Sequence, residues 1–261
     1  LDPTLKSNNK KVFTFPRPLE PLHPLEVYVE KNIPVIGSFG FATKGKGFQH
    51  VVEAVNKEFD QAIVRINIPF GDFVPDSETY ANYLGDVCKQ RAKKGIDVII
   101  SHEYMSKMQL LNWCSENTLN CFLYDRNIPG LAATTDQAIV SGRPLSVSKN
   151  DTFRHILKYM PAYPDISVRD SILKSIPWVN QMQRDWSPKV FAIKFEGMLE
   201  ALSSGYHFSE IKMGTFELPL QKKTLSNTVA KRFRKYKRYL KGQKLKDVIV
   251  KRRKKKNEEF L

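Results

Sequence analysis

The sequence predicts an α/β fold, a mostly parallel sheet with helices on both faces, followed by a basic helical tail. Three observations predict it. Between Ile33 and Ser148, short apolar runs rich in β-branched residues alternate with amphipathic stretches, the pattern of strands buried by crossover helices. The first run ends in glycines and passes directly into a helical period. Finally, charge is segregated: residues 221–261 hold 17 of the 42 Lys/Arg and three of the 27 Asp/Glu, so the body from 1 to 220 is close to neutral with 25 basic and 24 acidic residues.

Residues 1–32 carry FPRPLEPLHPLEVY, whose prolines forbid an internal helix; they are expected to run extended as a linker or entry segment. PVIGSFG from Pro34 is the first strand. Gly47–Phe59 sets Phe48, Val51, Val52 and Val55 on one helical face. Then come AIVRINIP (strand), SETYANYLGDVCKQRAKK (helix), IDVIIS (strand), MSKMQLLNWCSEN (helix), LNCFLYD (strand), TTDQAIVSG (helix) and PLSVS (strand). Beyond Ser148 the chain is predicted helical in NDTFRHILKYM, in VRDSILKSI and from Trp186 to Leu202. Residues 33–204 are thus expected to form one domain, with 205–261 a connector and tail.

Cys88, Cys114 and Cys121 are odd in number, lack close metal-ligand spacing and each fall in a periodic apolar segment. They are expected to be reduced core thiols, which suits a cytoplasmic setting, and no metal site is expected. No apolar run reaches the roughly 20 residues of a membrane span.

In a parallel sheet the carboxyl ends of the strands offer their loops to ligands, so the segments after Ile36, Ile68, Ile100 and Tyr124 are expected to line a cleft. The first holds GSFGFATKGKGF, Gly37–Phe48. A glycine turn at a helix N-terminus brings backbone N–H groups and a partial positive charge to an anion; Lys44 and Lys46 stand where a diphosphate would sit, and Thr43 adds a hydroxyl. The alternative is a tight βα loop with solvated lysines. A second pattern, DQAIVSGRP from Asp136 to Pro144, puts a carboxylate near a helix start, where it either accepts hydrogen bonds from a ribose diol or charges the helix terminus. Arg126 in YDRN offers a further cation, whereas Arg143 in the Gly-x-Pro turn is expected to point outward. Asn67, His102 and Glu103, at other strand ends, are expected to line the same cleft.

Taken in order, GSFG…KGKGF, the alternating stretch, DQAIVSGRP and a later Trp-Ser helix resemble the C-terminal, Rossmann-like nucleotide-sugar-binding domain of retaining GT-B glycosyltransferases over about residues 33–204. The resemblance implies half of a GT-B architecture and transfer of a sugar from a nucleotide-diphosphate donor, with no cofactor. By position, Lys44 or Lys46 would neutralise the diphosphate, Gly37 and Gly40 would shape the phosphate loop, and Asp136 would stand for the second Glu of E-x7-E, which binds ribose. Ile128 stands where the first acidic residue of that pattern belongs, and Ser38 and Phe39 occupy the stretch where a phosphate-binding arginine often lies. Arg126 would supply the missing charge. The acceptor side is expected from an N-terminal domain outside this sequence or from a partner subunit. If neither contributes, the chain is a non-catalytic α/β binding or scaffold module.

Leu225, Val229, Phe233, Tyr236 and Leu240 make one apolar stripe in a segment otherwise dense in Lys and Arg, and KRRKKK follows at 251–256. Such a helix can lie on an anionic membrane surface, which would place the protein at the periphery of the cytoplasmic face. The rival partner is nucleic acid, without an accompanying motif. A solvated helix packed on the body is the third possibility.

Overall fold

The computed structural model describes residues 2–6, 8, 12–20, 31–73, 75–126 and 130–203. Chain contacts divide the molecule into Leu1–Glu210 and Ile211–Leu261, and every described residue belongs to the first unit. Ile128 and the segments 21–30 and 204–261, with the expected basic helix, lie outside the described residues.

Five strands, β1 (Val35–Phe39), β2 (Ala62–Asn67), β3 (Ile96–Ser101), β4 (Leu119–Phe122) and β5 (Leu145–Val147), form one sheet in the order β3-β2-β1-β4-β5. Every pairing is parallel. The fold is therefore α/β and Rossmann-like, as the alternation predicts. Helices α1 (Phe48–Glu58), α2 (Ser77–Arg91), α3 (Lys107–Ser115) and α4 (Thr134–Val140) make the crossovers. Val51, Val52 and Val55 of α1 pack with Leu84 and Cys88 of α2 on Ile36, Val64 and Ile66. On the other face, Trp113 of α3 and Ile139 of α4 cover Phe39, Phe122, Leu145 and Val147. The three cysteines are free and buried, and desolvation pushes the Cys88 and Cys121 thiols up to about 12. Among the described residues no helix is long and apolar enough to cross a membrane.

Three elements differ from expectation. Residues 150–160 are not an α-helix: Asp151–Phe153 is a 3-10 turn, and i→i+3 bonds continue through Ile156 and Tyr159. This tighter winding buries Phe153, Ile156 and Met160, three or four residues apart, in one core. A helix absent from the sequence reading runs from Ile176 to Asp185. Together with α5 (Val168–Lys174) it makes two short helices in place of one, so the new helix is α6 and the last is α7 (Pro188–Ser203). Pro177 begins α6 instead of breaking it, because the first helical turn needs no intrahelical N–H donor.

The proline-rich segment is also more than a linker. Leu19 is buried and donates its N–H to the Trp186 carbonyl at 2.8 Å, while Phe15 packs at 6.0 Å from both Phe191 and Phe195 of α7. It straps the body, and so carries Arg17 to the sheet edge.

Candidate functional site

The strand order reverses direction of growth at β1, whose neighbours β2 and β4 lead away on opposite sides. Loops leaving the carboxyl ends of β1 and β4 diverge there, and that crevice is where open α/β sheets hold ligands. The two loops are packed tightly together. Gly47, at φ 65°, leaves no space for a Cβ, which would lie 1.8 Å from the Leu123 carbonyl oxygen. Gly45, at φ 77°, backs onto Arg126 and accepts the Asp125 N–H at 3.2 Å. Glycine is required at both positions by the left-handed backbone and by the contact. Gly47 is also the N-cap of α1 and supplies no side chain to it, so no side chain at that position caps the positive end of the helix beside the β4 loop.

Lys46 and Arg126 meet over one ring in this crevice. The Lys46 Nζ donates to the Tyr124 hydroxyl at 2.9 Å and lies 4.6 Å from the ring centre. The Arg126 guanidinium carbon is 5.1 Å from the same centre. The hydroxyl is fixed in turn by Thr134 Oγ1 at 2.9 Å, and the Arg126 carbonyl accepts from Asn150 Nδ2 at 2.7 Å. Neither cation forms an ion pair with a carboxylate among the described residues, and the buried Arg126 Nε has no hydrogen-bond partner there. Burial, and secondarily the Arg126 charge, lower Lys46 from 10.5 to about 8. The two charges are less than about 10 Å apart, so their repulsion is at least about 1.7 kcal/mol at an effective dielectric near 20. A cation pair, an open helix terminus and an ordering hydroxyl are the components of an anion site.

Asp136 presents the opposite arrangement. It lies in the first turn of α4, where Arg17 Nε approaches Oδ2 to 2.6 Å and Nη2 donates to Oδ1 at 3.1 Å. The same Nη2 donates to the Ala132 carbonyl at 3.2 Å. Burial raises the carboxyl from 3.8 to about 6, against the lowering influence of Arg17 and Lys107. Both oxygens are thus engaged by the strap, and the carboxylate is neutralised within the protein.

No family model and no curated protein matches this chain. It is similar to several solved structures. One is OtsA, a trehalose-6-phosphate synthase, with a TM-score of 0.49 and 11% identity over 66% of this chain and 44% of that one. Another is the N-terminal domain of Candida albicans trehalose-6-phosphate phosphatase, at 0.47 and 13% over 66% and 42%. A third is Anabaena HepE in complex with UDP and glucose, at 0.47 and 14% over 66% and 49%. The chain spans less than half the length of each. At such values the likeness carries nothing about what the site binds, which rests on the atoms above.

The other predicted residues divide by environment. Gly40, at φ 145°, ends β1 beside the Lys46 ammonium, which a Cβ there would meet at 3.0 Å. Gly37 does not shape the loop: it is inside β1, and its missing Cβ admits the Asn117 amide, 2.0 Å from where that atom would be. Lys44 is exposed on the loop, and the buried Thr43 Oγ1 has no hydrogen-bond partner among the described residues. Asn67 is 2% exposed and is a tie, not a cleft wall: its amide donates to the Glu103 carbonyl at 3.1 Å and accepts from Ser101 Oγ at 2.8 Å. His102 shares its Nδ1 with the Ile68 carbonyl at 2.8 Å and stacks on Phe70. Glu103 is exposed. Among the described residues no group of three or more His, Cys, Asp or Glu could hold a metal ion. Sequence reasoning missed Tyr124 and Arg17. Tyr124 closes an apolar strand and reads as core, although a hydroxyl at the carboxyl end of a central strand is itself a signal. Arg17 lies 119 residues from its partner, and no local pattern marks it.

Proposed function

We propose that this chain is the donor-binding half of a glycosyltransferase, a Rossmann-like module that holds the diphosphate of a nucleotide sugar between its β1 and β4 loops. The observation that carries this reading is the Lys46–Arg126 pair, two cations ordered by Tyr124 at the topological switch point with no carboxylate among the described residues to neutralise them. The in-order resemblance of GSFG…KGKGF and DQAIVSGRP to the GT-B donor domain supplies the substrate class. As the sugar departs, negative charge accumulates on the diphosphate; Lys46, Arg126 and the α1 terminus are held where they stabilise it without reorganising. An acceptor-side domain or subunit would face this edge, and transfer with retention of configuration follows from the same resemblance. The cationic segment 221–261 suits docking on an anionic cytoplasmic membrane surface. Liposome co-sedimentation unaffected by 0.5 M salt would refute that docking mode.

A second reading, a binding module without turnover, draws on the Arg17–Asp136 pair, since the carboxylate meant for ribose is already engaged. Calorimetric titration with UDP, GDP and ADP and with their glucose conjugates separates the possibilities. Binding that is weakened in Lys46→Ala supports the donor site, and hydrolysis or transfer of the bound sugar supports the enzyme. Absence of binding by every nucleotide would overturn both readings.

A further inference from the structure

On the other side of β1 from the cation pair, the carboxyl ends of β1, β2 and β3 carry an aromatic surface that the diphosphate site does not use. Phe41 sits in the β1 loop between Gly40 and Lys46. Its ring meets Phe73, from the β2 loop, at 4.7 Å and 78°, and Tyr104, after β3, at 6.3 Å. Phe70 stacks on His102 at 4.7 Å and 23° alongside. Phe73 is 69% and Tyr104 79% exposed, so rings that would ordinarily be buried face water at the rim of the ligand crevice. Their positions are built: Gly71 packs under both Phe41 and Phe73, where a Cβ would come within 3.0 and 3.1 Å of the two rings, and its N–H is held by the buried Ser77 hydroxyl at 2.8 Å.

The β2 loop and α2, which carry Phe70 and Phe73, are acidic, while Lys44 and Lys107 lie three residues from Phe41 and Tyr104. From Ile66 to Cys88 the chain has no Lys or Arg but has Asp72, Asp76, Glu78 and Asp86, and Glu103 adjoins Tyr104. Asp72 and Glu103 are exposed. Aromatic faces, negative at their centres, attract the weakly positive C–H groups of a sugar ring, and carboxylates accept hydrogen bonds from its hydroxyls. With strands about 4.8 Å apart, the ends of β1 to β3 span about 10 Å, the length of two pyranose rings and more than the single sugar of a donor.

We infer that Phe41, Phe73 and Tyr104 form a stacking platform for a neutral glycan, the acceptor, placed beside the diphosphate cradle. The glycan's role as acceptor rests on the donor-site reading; the platform itself does not. Because both exposed rings contribute little to the core, their removal leaves the fold intact.

The test is saturation-transfer difference NMR on the full chain with maltotriose, cellotriose and triacetylchitotriose, each with and without UDP. At least one trisaccharide is expected to show saturated ring C–H protons, weakened at least fivefold in Phe73→Ala and in Tyr104→Ala, while UDP affinity stays within twofold. No saturation with any of the three, equal saturation in the variants, or loss of saturation from the uracil protons in the variants would overturn the platform. The last outcome would assign the rings to a nucleobase. UDP binding without trisaccharide binding removes only this inference, and the reverse result removes only the donor site.

Discussion

Two charged clusters share the carboxyl edge of the sheet, joined through Thr134 and Asp136 on the first turn of α4, yet they are electrostatic opposites. At one, Lys46 and Arg126 crowd a single tyrosine and no carboxylate among the described residues answers them. At the other, Arg17 closes on Asp136 through both carboxylate oxygens. Folding alone accounts for the closed pair, because it ties the N-terminal strap to α4. The open pair opposes folding by its repulsion and by the depressed lysine, and on the proposed function a ligand brings the missing charge. Uncompensated charge, rather than charge itself, distinguishes the proposed binding site from the brace.

The most severe way to break this contrast is to separate the two loops that create the open pair. Gly47→Ala drives a methyl into the Leu123 carbonyl in a left-handed backbone and is expected to lower stability by more than about 3 kcal/mol, read by urea denaturation. Next in size, Lys46→Ala combined with Arg126→Ala is expected to weaken UDP about 100-fold, equivalent to about 2.7 kcal/mol, with stability unchanged or slightly higher because the repulsion is gone. Arg17→Met should do the reverse. Leaving a half-buried carboxylate unpaired costs about 1–2 kcal/mol of stability, while UDP affinity changes less than threefold. Equal effects of the two substitutions on UDP would erase the distinction between the clusters.

Proton linkage gives the smallest and most specific effects. Lys46 titrates at about 8 in the fold and at its ordinary 10.5 when unfolded. Between those values the unfolded chain binds the extra proton, so this group adds stability as pH rises from about 8. Affinity for an anion moves the other way and is expected to fall about tenfold between pH 7 and 9. Asp136, raised to about 6 by burial, holds its proton more tightly folded than unfolded, so its contribution to stability declines as pH rises from about 4 to 6. Asp136→Asn should remove that slope from a denaturation series.

Much of the fold was legible because it is written locally. Apolar runs such as IDVIIS and the Val51–Val52–Val55 face encode strand and helix through their own periodicity. The glycine loop of the proposed anion site was legible for the same reason, with its glycines, Lys46 and the helix start within a dozen residues. What remained hidden depends on contacts distant in sequence. Arg17 reaches Asp136 only because Leu19 and Phe15 anchor the strap. Tyr124 acquires its role from Lys46, 78 residues away, and Gly37 loses its expected role to Asn117. The 3-10 winding after Asn150 was hidden for a different reason, since Phe153, Ile156 and Met160 are spaced by three and four residues, the period of an α-helix.

The central claim, that a ligand's negative charge completes the Lys46–Arg126 pair, is tested most directly by calorimetry of UDP binding at pH 8.5 in two buffers of different ionisation enthalpy. From a lysine at about 8, binding is predicted to take up about 0.7 of a proton as the anion restores the ammonium, and Lys46→Met should abolish the uptake. UDP that fails to bind, or that binds with no proton exchanged, would contradict it.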